Sequence, residues 1–598
     1  MLNDSADLRR RLAAVALGEV PADLLVRAGT VVDVYSGLTH RADVAVAGDR
    51  IAAVGDLGYT VGEATTVIEA AGQYVVPGLI DTHIHVGGSQ TPPTQLAQLL
   101  VPHGTAAIGT CFYEAASIAG VGALRAFLDE AAATPLQILL SVFHSCYAGM
   151  GPAGNPGRVS AEDLLGLLDL PQAVEIREWS VHNERAPDDV FRQFVDRARE
   201  RGLIVAGHLE GQTGRPLQAS VALGAHSDHE MGTAAEAMEK LRLGVRIQAR
   251  QGAAAWDLRN VLTAVTELGA DSRYFMFATD EQEAHHLAEH GHIDDLVRMA
   301  IGMGISPAEA IRMGSQNAAE YLGLTDHLGA VAPGRLAHLL LVENLREFRV
   351  GRVVADGRLV AEDGRYLPPI TPVDYPGDWR ETVHVASISP ASFAVDVPGD
   401  EPVDVRVIGI TPGSLLTDER RVSMTPVDGA LHADPTRDLA KLCVIDRHEA
   451  SGRVGRAFVQ GTGLSVGAVA TTVNPGLQNL MVLGVDDADM DVAARRVAAL
   501  GGGIVVAIGG EVVAEVALPL LSIFSDGPLE DTVAAMSAVE RALLDQMDAS
   551  MPGLLAAVGF ATLAVSIPSL KVCDQGLVSV SRGSSEFVPL LYGEGSGR

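Results

Sequence analysis

The chain has few cysteines and no long apolar run. Cys111, Cys146, Cys443 and Cys573 lie far apart and form no Cys-x-x-Cys pair. Their spacing argues against thiolate zinc sites and favours a reducing compartment. No run of about 18 or more apolar residues occurs, and residues 1–11 lack the apolar stretch of a signal peptide. These absences predict a cytoplasmic protein that does not span a membrane.

Positive charge and aromatic residues are also scarce. Lys and Arg total 44 against 75 Asp and Glu, which gives a formal net charge of −31. Because such a charge repels phosphate backbones and anionic lipids, neither nucleic acid nor a membrane is expected as a partner. Aromatic residues make up 4% of a chain that is 47% hydrophobic, so the cores must consist mainly of Ala, Val and Leu.

Two separated segments of the chain have the pattern of β hairpins. Residues 23–55 and residues 329–360 both alternate short Val- and Ile-rich runs with Gly and Asp turns. A central block lies between them, so the two flanks predict one composite, β-sandwich-like domain. We place it at residues 1–74 plus 325–372.

The central block, residues 75–324, alternates apolar strand candidates with helical stretches. Repeated βα units over about 250 residues predict a (β/α)₈ barrel, which belongs to the α/β class. An open doubly wound sheet is the rival, but no Gly-x-Gly-x-x-Gly loop comes after a first strand. Residues 373–598 predict a separate α+β domain, with a hairpin around Gly509-Gly510 and helices near residues 489–500 and 531–544.

The most informative motif is PGLIDTHIH at residues 77–85, an apolar run that ends in His83 and His85. If the run is a strand, side chains two residues apart point to the same face. Two imidazoles at the carboxyl end of a strand can bind one divalent metal ion, although such a pair also occurs by chance. The interpretation of the motif as a metal site therefore depends on residues further along the chain.

Additional candidate ligands come after later strand candidates of the barrel. They are Glu178 in AVEIREW, His208 at the end of LIVAGH, His229 in AHSDHE and Asp280 at the end of YFMFATD. Each alone has an ordinary explanation, such as a helix N-cap for Asp280. Together they place imidazole and carboxylate groups at successive strand ends, where barrel enzymes carry their chemistry. Such a set suits Zn²⁺, Fe²⁺ or Mn²⁺ and not Cu(I) or an iron–sulfur cluster.

This order of ligands resembles the amidohydrolase superfamily, and within it the adenine deaminase family. The matching stretches run over nearly the whole chain and include PGLIDTHIH, SDHE, IRMGSQNAAEYLGL and, near the C-terminus, VIDRHEASGRVGRAFVQGTGL. The C-terminal match discriminates most, because the barrel motifs are widely shared. The resemblance implies an amidohydrolase-type barrel and a homodimer or larger homo-oligomer.

The resemblance implies two divalent metal ions, with Mn²⁺ or Fe²⁺ favoured and Zn²⁺ as a further option. The implied ligands are His83, His85, Glu178, His208, His229 and Asp280. Many members of the superfamily bridge their metals with a carbamylated lysine. The lysines of this chain, at positions 240, 441 and 571, do not come early enough, so Glu178 is the expected bridge.

The implied function is metal-dependent hydrolytic deamination of adenine or a related aminopurine or heterocycle. A metal-bridging hydroxide would attack the ring carbon that bears the amino group, and ammonia would leave. Asp280 would move the proton to the leaving ammonia, and Glu230 would protonate the ring nitrogen. The alternative for Glu230 is to orient a ligand histidine. Glu114 and Tyr113 are the candidate substrate-binding residues.

The sequence departs from the family pattern at four places. Gly87-Gly88-Ser89 stands where the family typically has Glu-Ser-Ser, and Cys111-Phe112-Tyr113-Glu114 stands for Asp-Pro-His-Glu. Residues 474–479, NPGLQN, replace His-Asp-Ser-His-Asn, and His338 replaces an aspartate. The loss of the acid at position 87 and of the histidine at position 113 leaves an alternative open, in which the same metal centre opens a cyclic amide, lactam or imide. A third hypothesis is a binding or scaffold protein that has kept the frame.

Overall fold

The structure is a computed structural model. It describes residues 5–148, 157–184, 188–476, 478–565, 567–581 and 584–593. Leu477, within the divergent segment 474–479, lies outside these residues. Along the described chain, no helix is long and apolar enough to cross a membrane.

Eight parallel strands form the central sheet, in chain order from one edge to the other. They are β1 (Leu79–Ile84), β2 (Thr105–Thr110), β3 (Gln137–Phe143), β4 (Ala173–Trp179), β5 (Ile204–Gly207), β6 (Ser227–Asp228), β7 (Arg246–Arg250) and β8 (Phe275–Ala278). All residues of β1, β2 and β8 are buried. Burial on both faces explains their apolar sequences, since helices cover one side and the barrel core the other.

The first and last strands meet and close the barrel. Ile84 pairs with Asp280 in a parallel bridge. The amide of Asp280 donates to the carbonyl of His83 over 2.8 Å, and the amide of His85 donates to the carbonyl of Asp280 over 2.6 Å. These backbone bonds place the histidine pair at the end of β1 beside Asp280, just after β8.

Helices connect the strands and cover the outside of the barrel, as the sequence predicts. Their bounds are Pro93–Leu100, Tyr113–Ala119, Val121–Ala131, Ser145–Ala148, Ala161–Leu167, Val181–Glu184, Asp189–Glu200, Gly214–Ala222, Ala234–Arg242, Leu258–Thr266, Ala284–His290, Ile293–Gly302, Pro307–Met313 and Gln316–Tyr321. Local sequence sets several of their starts. Ser160 and Asp163 form a reciprocal capping box, and the Thr233 hydroxyl accepts from the amide of Glu236.

The two flanks form one nine-stranded sheet. Tyr74–Pro77 from the first flank pairs antiparallel with Leu339–Val342 from the second. The other strands are Leu24–Asp33, Leu38–Ala47, Arg50–Gly55, Thr66–Glu69, Val350–Ala355, Arg358–Glu362 and Arg365–Tyr366, and helix Ala6–Ala16 packs on this sheet. A composite β domain from both flanks is therefore confirmed. The boundaries at residues 74, 324 and 372 stay predictions.

The C-terminal region is α+β, as predicted. Its main sheet has the spatial order Thr417–Met424, Val403–Ile410, Val454–Gln460, Leu439–Ile445, Leu480–Gly484, Ala468–Thr471, Gly503–Ile508 and Glu511–Ala517. The last two form the predicted hairpin around Gly509-Gly510. Its α-helices are Asp487–Leu500, Leu529–Gln546 and Leu554–Gly559, and smaller sheets pair Val395–Asp396 with Ala430–Leu431 and join Ser569–Cys573, Gly576–Ser581 and Ser584–Phe587.

The C-terminal region packs over the carboxyl ends of the barrel strands. The Ser525 amide donates to the carbonyl of Gln90 over 2.8 Å, and the Trp256 amide donates to the carbonyl of Gly413 over 3.0 Å. The amide nitrogen of Gln478 donates to the hydroxyl of Tyr113 over 3.2 Å. Barrel and C-terminal residues share one large hydrophobic core. The mouth of the barrel is thus an internal surface between the two regions.

Candidate metal centre and catalytic pocket

His83 and His85 point to one side of β1, as their spacing predicts. Their Nε2 atoms lie 3.3 Å apart, and the imidazole of His83 is completely buried. The Nε2 atom of His85 is 3.0 Å from Oε1 of Glu178, and that of His83 is 3.8 Å from the same oxygen. Oδ1 of Asp280 lies 3.7 Å from both Nε2 atoms. Two imidazoles and two carboxylates therefore converge on one small volume.

Both carboxylates sit on unusual backbone. Glu178 has φ 56° and Asp280 has φ 63°, in the left-handed region that residues with a side chain seldom adopt. At Glu178 the regular pairing of β4 with β5 is also interrupted. Such backbone costs roughly 1–3 kcal/mol per residue and persists where the surroundings impose it, often at functional sites. Here it turns two side chains of strand ends toward the histidine pair.

His208 and His229 extend the cluster from β5 and β6. The rings of His83 and His229 have centroids 3.7 Å apart, and the rings of His208 and His229 are 5.5 Å apart. Oε1 of Glu230 lies 3.2 Å from Nε2 of His229 and 3.7 Å from Nε2 of His208. All six predicted ligands thus meet in one pocket, and Glu230 lies close enough to the second histidine pair to share a metal ion with it.

The electrostatics at His83 and Glu178 fit a divalent metal centre. At His208 burial lowers the pKa, but Glu230 and Glu210 outweigh it and raise that pKa to about 10. Burial, with help from Arg177 and the neighbouring imidazoles, holds the pKa of His83 well below its ordinary value. Burial raises the pKa of Glu178, but the hydrogen bond from His85 and the other imidazoles outweigh it and lower that pKa to about 2. A neutral imidazole and an ionised carboxylate are the forms that bind metal.

Two buried ring nitrogens in this cluster are also unsatisfied. Within the described residues, the Nδ1 atoms of His83 and His229 have no hydrogen-bond partner. Buried polar atoms without partners are uncommon in native proteins. The donor set of imidazole nitrogen and carboxylate oxygen suits Mn²⁺, Fe²⁺ or Zn²⁺.

Arg250 is a site residue that sequence reasoning missed. Its Nη1 atom donates to Glu230 over 2.6 Å and to Asp280 over 3.2 Å, and its Nη2 atom donates to Asp257 over 2.7 Å. Burial raises the pKa of Glu230, but Arg250 and the imidazoles outweigh it and hold that pKa well below the ordinary value. Arg250 ends β7, so the rule that chemistry lies at strand ends applies to it only once that strand is recognised.

Two other contacts to candidate ligand histidines were also missed. Nδ1 of His208 lies 3.0 Å from Oε2 of Glu210, and Nδ1 of His85 lies 3.6 Å from the sulfur of Cys111. Groups bound to the second ring nitrogen fix the orientation of a ligand histidine. Glu210 lies two residues after His208, and Cys111 follows the strand next to β1. These positions were the only indication in the sequence that the two residues contact the histidines, and the indication is weak.

The glycine at position 87 makes room for Glu114. A Cβ atom on Gly87 would lie 2.9 Å from Cγ and 3.0 Å from Oε1 of Glu114. The amide of Gly87 donates to that Oε1 over 3.2 Å. Glu114 is buried, which raises its pKa. Glu114, which comes just after β2, therefore occupies the space that a side chain at position 87 would need.

Two neighbouring cavities form the pocket. The first is lined by most of the candidate metal ligands, by Tyr113 and Glu281, and by Pro475, Phe560, Leu563 and Ile567 of the C-terminal region. The second shares Tyr113, Glu281 and Pro475 with the first, and Glu114 lines it. Of the two candidate substrate-binding residues, Tyr113 thus borders the metal cluster and Glu114 the adjoining cavity.

The fold and this centre define a class. A closed parallel barrel with histidines and carboxylates at its strand ends is the arrangement of a metal-dependent hydrolase, and residues 74–360 match the amidohydrolase family. Residues 414–584 match the adenine deaminase C-terminal domain. The first match covers the barrel with neighbouring strands of the composite β domain, and the second covers most of the C-terminal region.

Curated relatives match almost the full length. Adenine deaminases of Desulfatibacillum aliphaticivorans and Methylobacterium sp. are 34% and 37% identical, over 96% and 97% of this chain and 98% and 99% of theirs. Adenine deaminase 3 of Rhizobium meliloti is 35% identical over 98% of this chain and all of its own. The chain belongs to the adenine deaminase family. This family is part of the amidohydrolases, which use divalent metal ions to hydrolyse carbon–nitrogen bonds.

Proposed function

We propose that this protein converts adenine and water into hypoxanthine and ammonia. The observation that carries the proposal is the cluster of His83, His85, Glu178 and Asp280, closed at the barrel seam and extended by His208, His229 and Glu230. It occurs in a chain related to adenine deaminases over nearly its whole length. Neither the cluster nor the relatedness alone would identify the substrate.

The six predicted ligands would hold two divalent ions, Mn²⁺ or Fe²⁺ in preference to Zn²⁺. When bound, the ions would supply an activated water at neutral pH. The short contacts among His83, His85, Glu178 and Asp280 support this assignment. Glu230 lies near His208 and His229, so it either completes the second group of ligands or acts on the substrate.

The carboxylates would move the protons of the reaction. The oxygen of the attacking water forms a bond to the ring carbon, and the bond from that carbon to the exocyclic nitrogen breaks. Glu230 starts ionised beside Arg250, so it would take one proton from the water and pass it to the ring nitrogen. Asp280 would take the other and deliver it to the departing ammonia. Tyr113 and Glu114 would contact the substrate from the cavity wall.

The experiment is an assay of the purified, metal-loaded protein with adenine. Ammonia and hypoxanthine should appear in equal amounts, and removal of the metal with a chelator should abolish both. A ring-opened product from a panel of cyclic amides, lactams and imides, with no ammonia from adenine, would favour the alternative reaction instead. Full activity in the chelated protein would refute the metal-dependent mechanism.

The assembly and location of the protein remain part of the proposal. We infer a homodimer or larger homo-oligomer and a cytoplasmic enzyme. The first rests on resemblance to the family, and the second on the sequence composition. Light scattering of the purified protein measures the first, and cell fractionation the second.

A further inference from the structure

A second group of potential metal ligands lies between the barrel and the C-terminal region. Glu283 precedes helix Ala284–His290, which comes after β8, and His285 and His286 lie in its first turn. Glu540 projects from helix Leu529–Gln546 of the C-terminal region. One ligand atom from each of the four residues lies within 4.8 Å of every other. The group shares no residue with the catalytic cluster.

The distances in this group suit a single small cation. Nε2 of His285 is 2.7 Å from Oε2 of Glu540 and 3.9 Å from Oε2 of Glu283. Nε2 of His286 is 3.7 Å from Oε1 of Glu540. Neighbouring ligand atoms around a tetrahedral ion with bonds of about 2.0–2.1 Å lie about 3.3 Å apart. The observed separations bracket that value, so small side-chain movements would complete the coordination.

Burial distinguishes this group from ordinary surface charge. The side chain of His285 is 3% exposed and that of Glu283 is 10% exposed. Burial raises the pKa of Glu283 more than His285 and His286 lower it. A divalent ion would stabilise both carboxylates. An ion pair of His285 with Glu540 alone would leave Glu283 and His286 with only longer contacts.

The four residues lie beside a cavity and next to a helix that lines the catalytic pocket. A small cavity is lined by Glu283, His285 and Glu540 together with apolar side chains. Oε1 of Glu540 accepts from the amide of Gly553 over 3.0 Å, directly before helix Leu554–Gly559. Leu555 of that helix and Glu283 itself line the second cavity of the catalytic pocket. An ion here would join helix Ala284–His290 to helix Leu554–Gly559, which covers the pocket.

We propose that Glu283, His285, His286 and Glu540 bind one divalent transition-metal ion, Zn²⁺ in class, outside the catalytic centre. The ion clamps the C-terminal region onto the barrel. Glu540 lies 255 residues along the chain from His285, so the complete ligand set exists in the assembled protein and not in the unfolded chain. The contribution of the ion is therefore to stability and to the position of the pocket cover.

The test measures bound metal in the full-length protein reconstituted with Zn²⁺ and desalted. His286→Ala and Glu540→Gln should each hold about one equivalent per chain less than the unsubstituted protein. His290→Ala is the matched control, since it removes an exposed histidine from the same helix outside the four-residue group. Its metal content should equal that of the unsubstituted protein. Equal content in all four proteins would mean an ion pair only and would overturn the proposal.

A second measurement covers the case in which a variant folds poorly. Zn²⁺ added to the chelated, unsubstituted protein should raise its Tm in two concentration steps, and Glu540→Asp, which keeps the carboxylate but shortens its reach, should weaken one step only. A single step, unchanged in Glu540→Asp, would refute the second site. Failure of the proposed deaminase would differ, because the extra ion would bind while no ammonia was released.

Discussion

The two walls of the catalytic pocket differ in chemistry and in origin. The barrel wall carries imidazoles and carboxylates on strand ends, tied together by Arg250 and by backbone bonds at the barrel seam. The opposite wall comes from the C-terminal region and offers Pro475, Phe560, Leu563 and Ile567. The difference indicates a division of labour. The barrel supplies bond-making groups, and the C-terminal region supplies shape and excludes water.

The strongest test of this division removes a proton carrier from the barrel wall. Asp280→Asn keeps the size of the side chain but cannot accept a proton, so kcat should fall roughly 10³-fold. Metal content of the variant, measured alongside, separates loss of proton transfer from loss of an ion. Activity within tenfold of that of the unsubstituted enzyme would show that Asp280 does not transfer the proton.

The next effect concerns Arg250, which neutralises the carboxylates of the barrel wall. Arg250→Gln leaves Glu230 and Asp280 buried without their cation, and we expect a loss of roughly 10²-fold in kcat/KM. The pH–rate profile should also shift, because the pKa of Glu230 rises when its largest stabilising charge is removed. Arg246→Gln, at the other end of β7, is the control and should retain activity. An unchanged pH–rate profile would mean that Arg250 contributes to packing and not to the charge state of Glu230.

A smaller effect is expected at the border between the walls. Gly87→Ala would push the Glu114 carboxylate aside, because the new Cβ would lie 2.9 Å from its Cγ. Displacement of a substrate-positioning group by a fraction of an ångström should cost roughly tenfold in kcat/KM, mostly through KM. In Gly122→Ala the added Cβ meets no atom within 4 Å, and its kinetics should be those of the unsubstituted enzyme. Equal kinetics for both variants would remove Glu114 from the substrate site.

On the C-terminal wall, Phe560→Leu should act on binding alone. Losing about 1 kcal/mol of apolar contact would raise KM about fivefold and leave kcat nearly unchanged. Steady-state kinetics with adenine measure both constants. A fall in kcat larger than the rise in KM would break the comparison, because this wall would then contribute to the chemical step.

The smallest effect on catalysis is expected at Lys571, which lies behind this wall. The effect expected there is on the stability of the protein. Its ammonium donates to the carbonyl of Phe560 over 3.0 Å, and burial lowers its pKa to about 7. The unfolded chain therefore binds more protons than the folded protein between pH 7 and about 10.5, and stability should rise with pH across that range. Lys571→Met should raise the Tm at pH 7 and flatten the rise. A Tm that falls from pH 7 to 9 only in the unsubstituted protein would contradict this.

The sequence predicts the barrel wall well because its rules are local. A strand end is visible as an apolar run that gives way to a polar residue, and His83, His208 and Asp280 come after such runs. Arg250 was missed because β7 reads RIQAR, where alternating polar residues hide the strand. Phe560 and the pairing of His285 with Glu540 depend on how the C-terminal region packs, 255 residues away in the latter case, and no local pattern encodes that.

The seam between β1 and β8 also ties activity to the completeness of folding. The amide of His85 donates to the carbonyl of Asp280 across the first and last strands, so the metal centre is not assembled before the eighth strand has been added. During synthesis the enzyme must therefore stay inactive until the ribosome has released the whole barrel. A truncated or nicked chain whose barrel stays open would be catalytically silent rather than partly active.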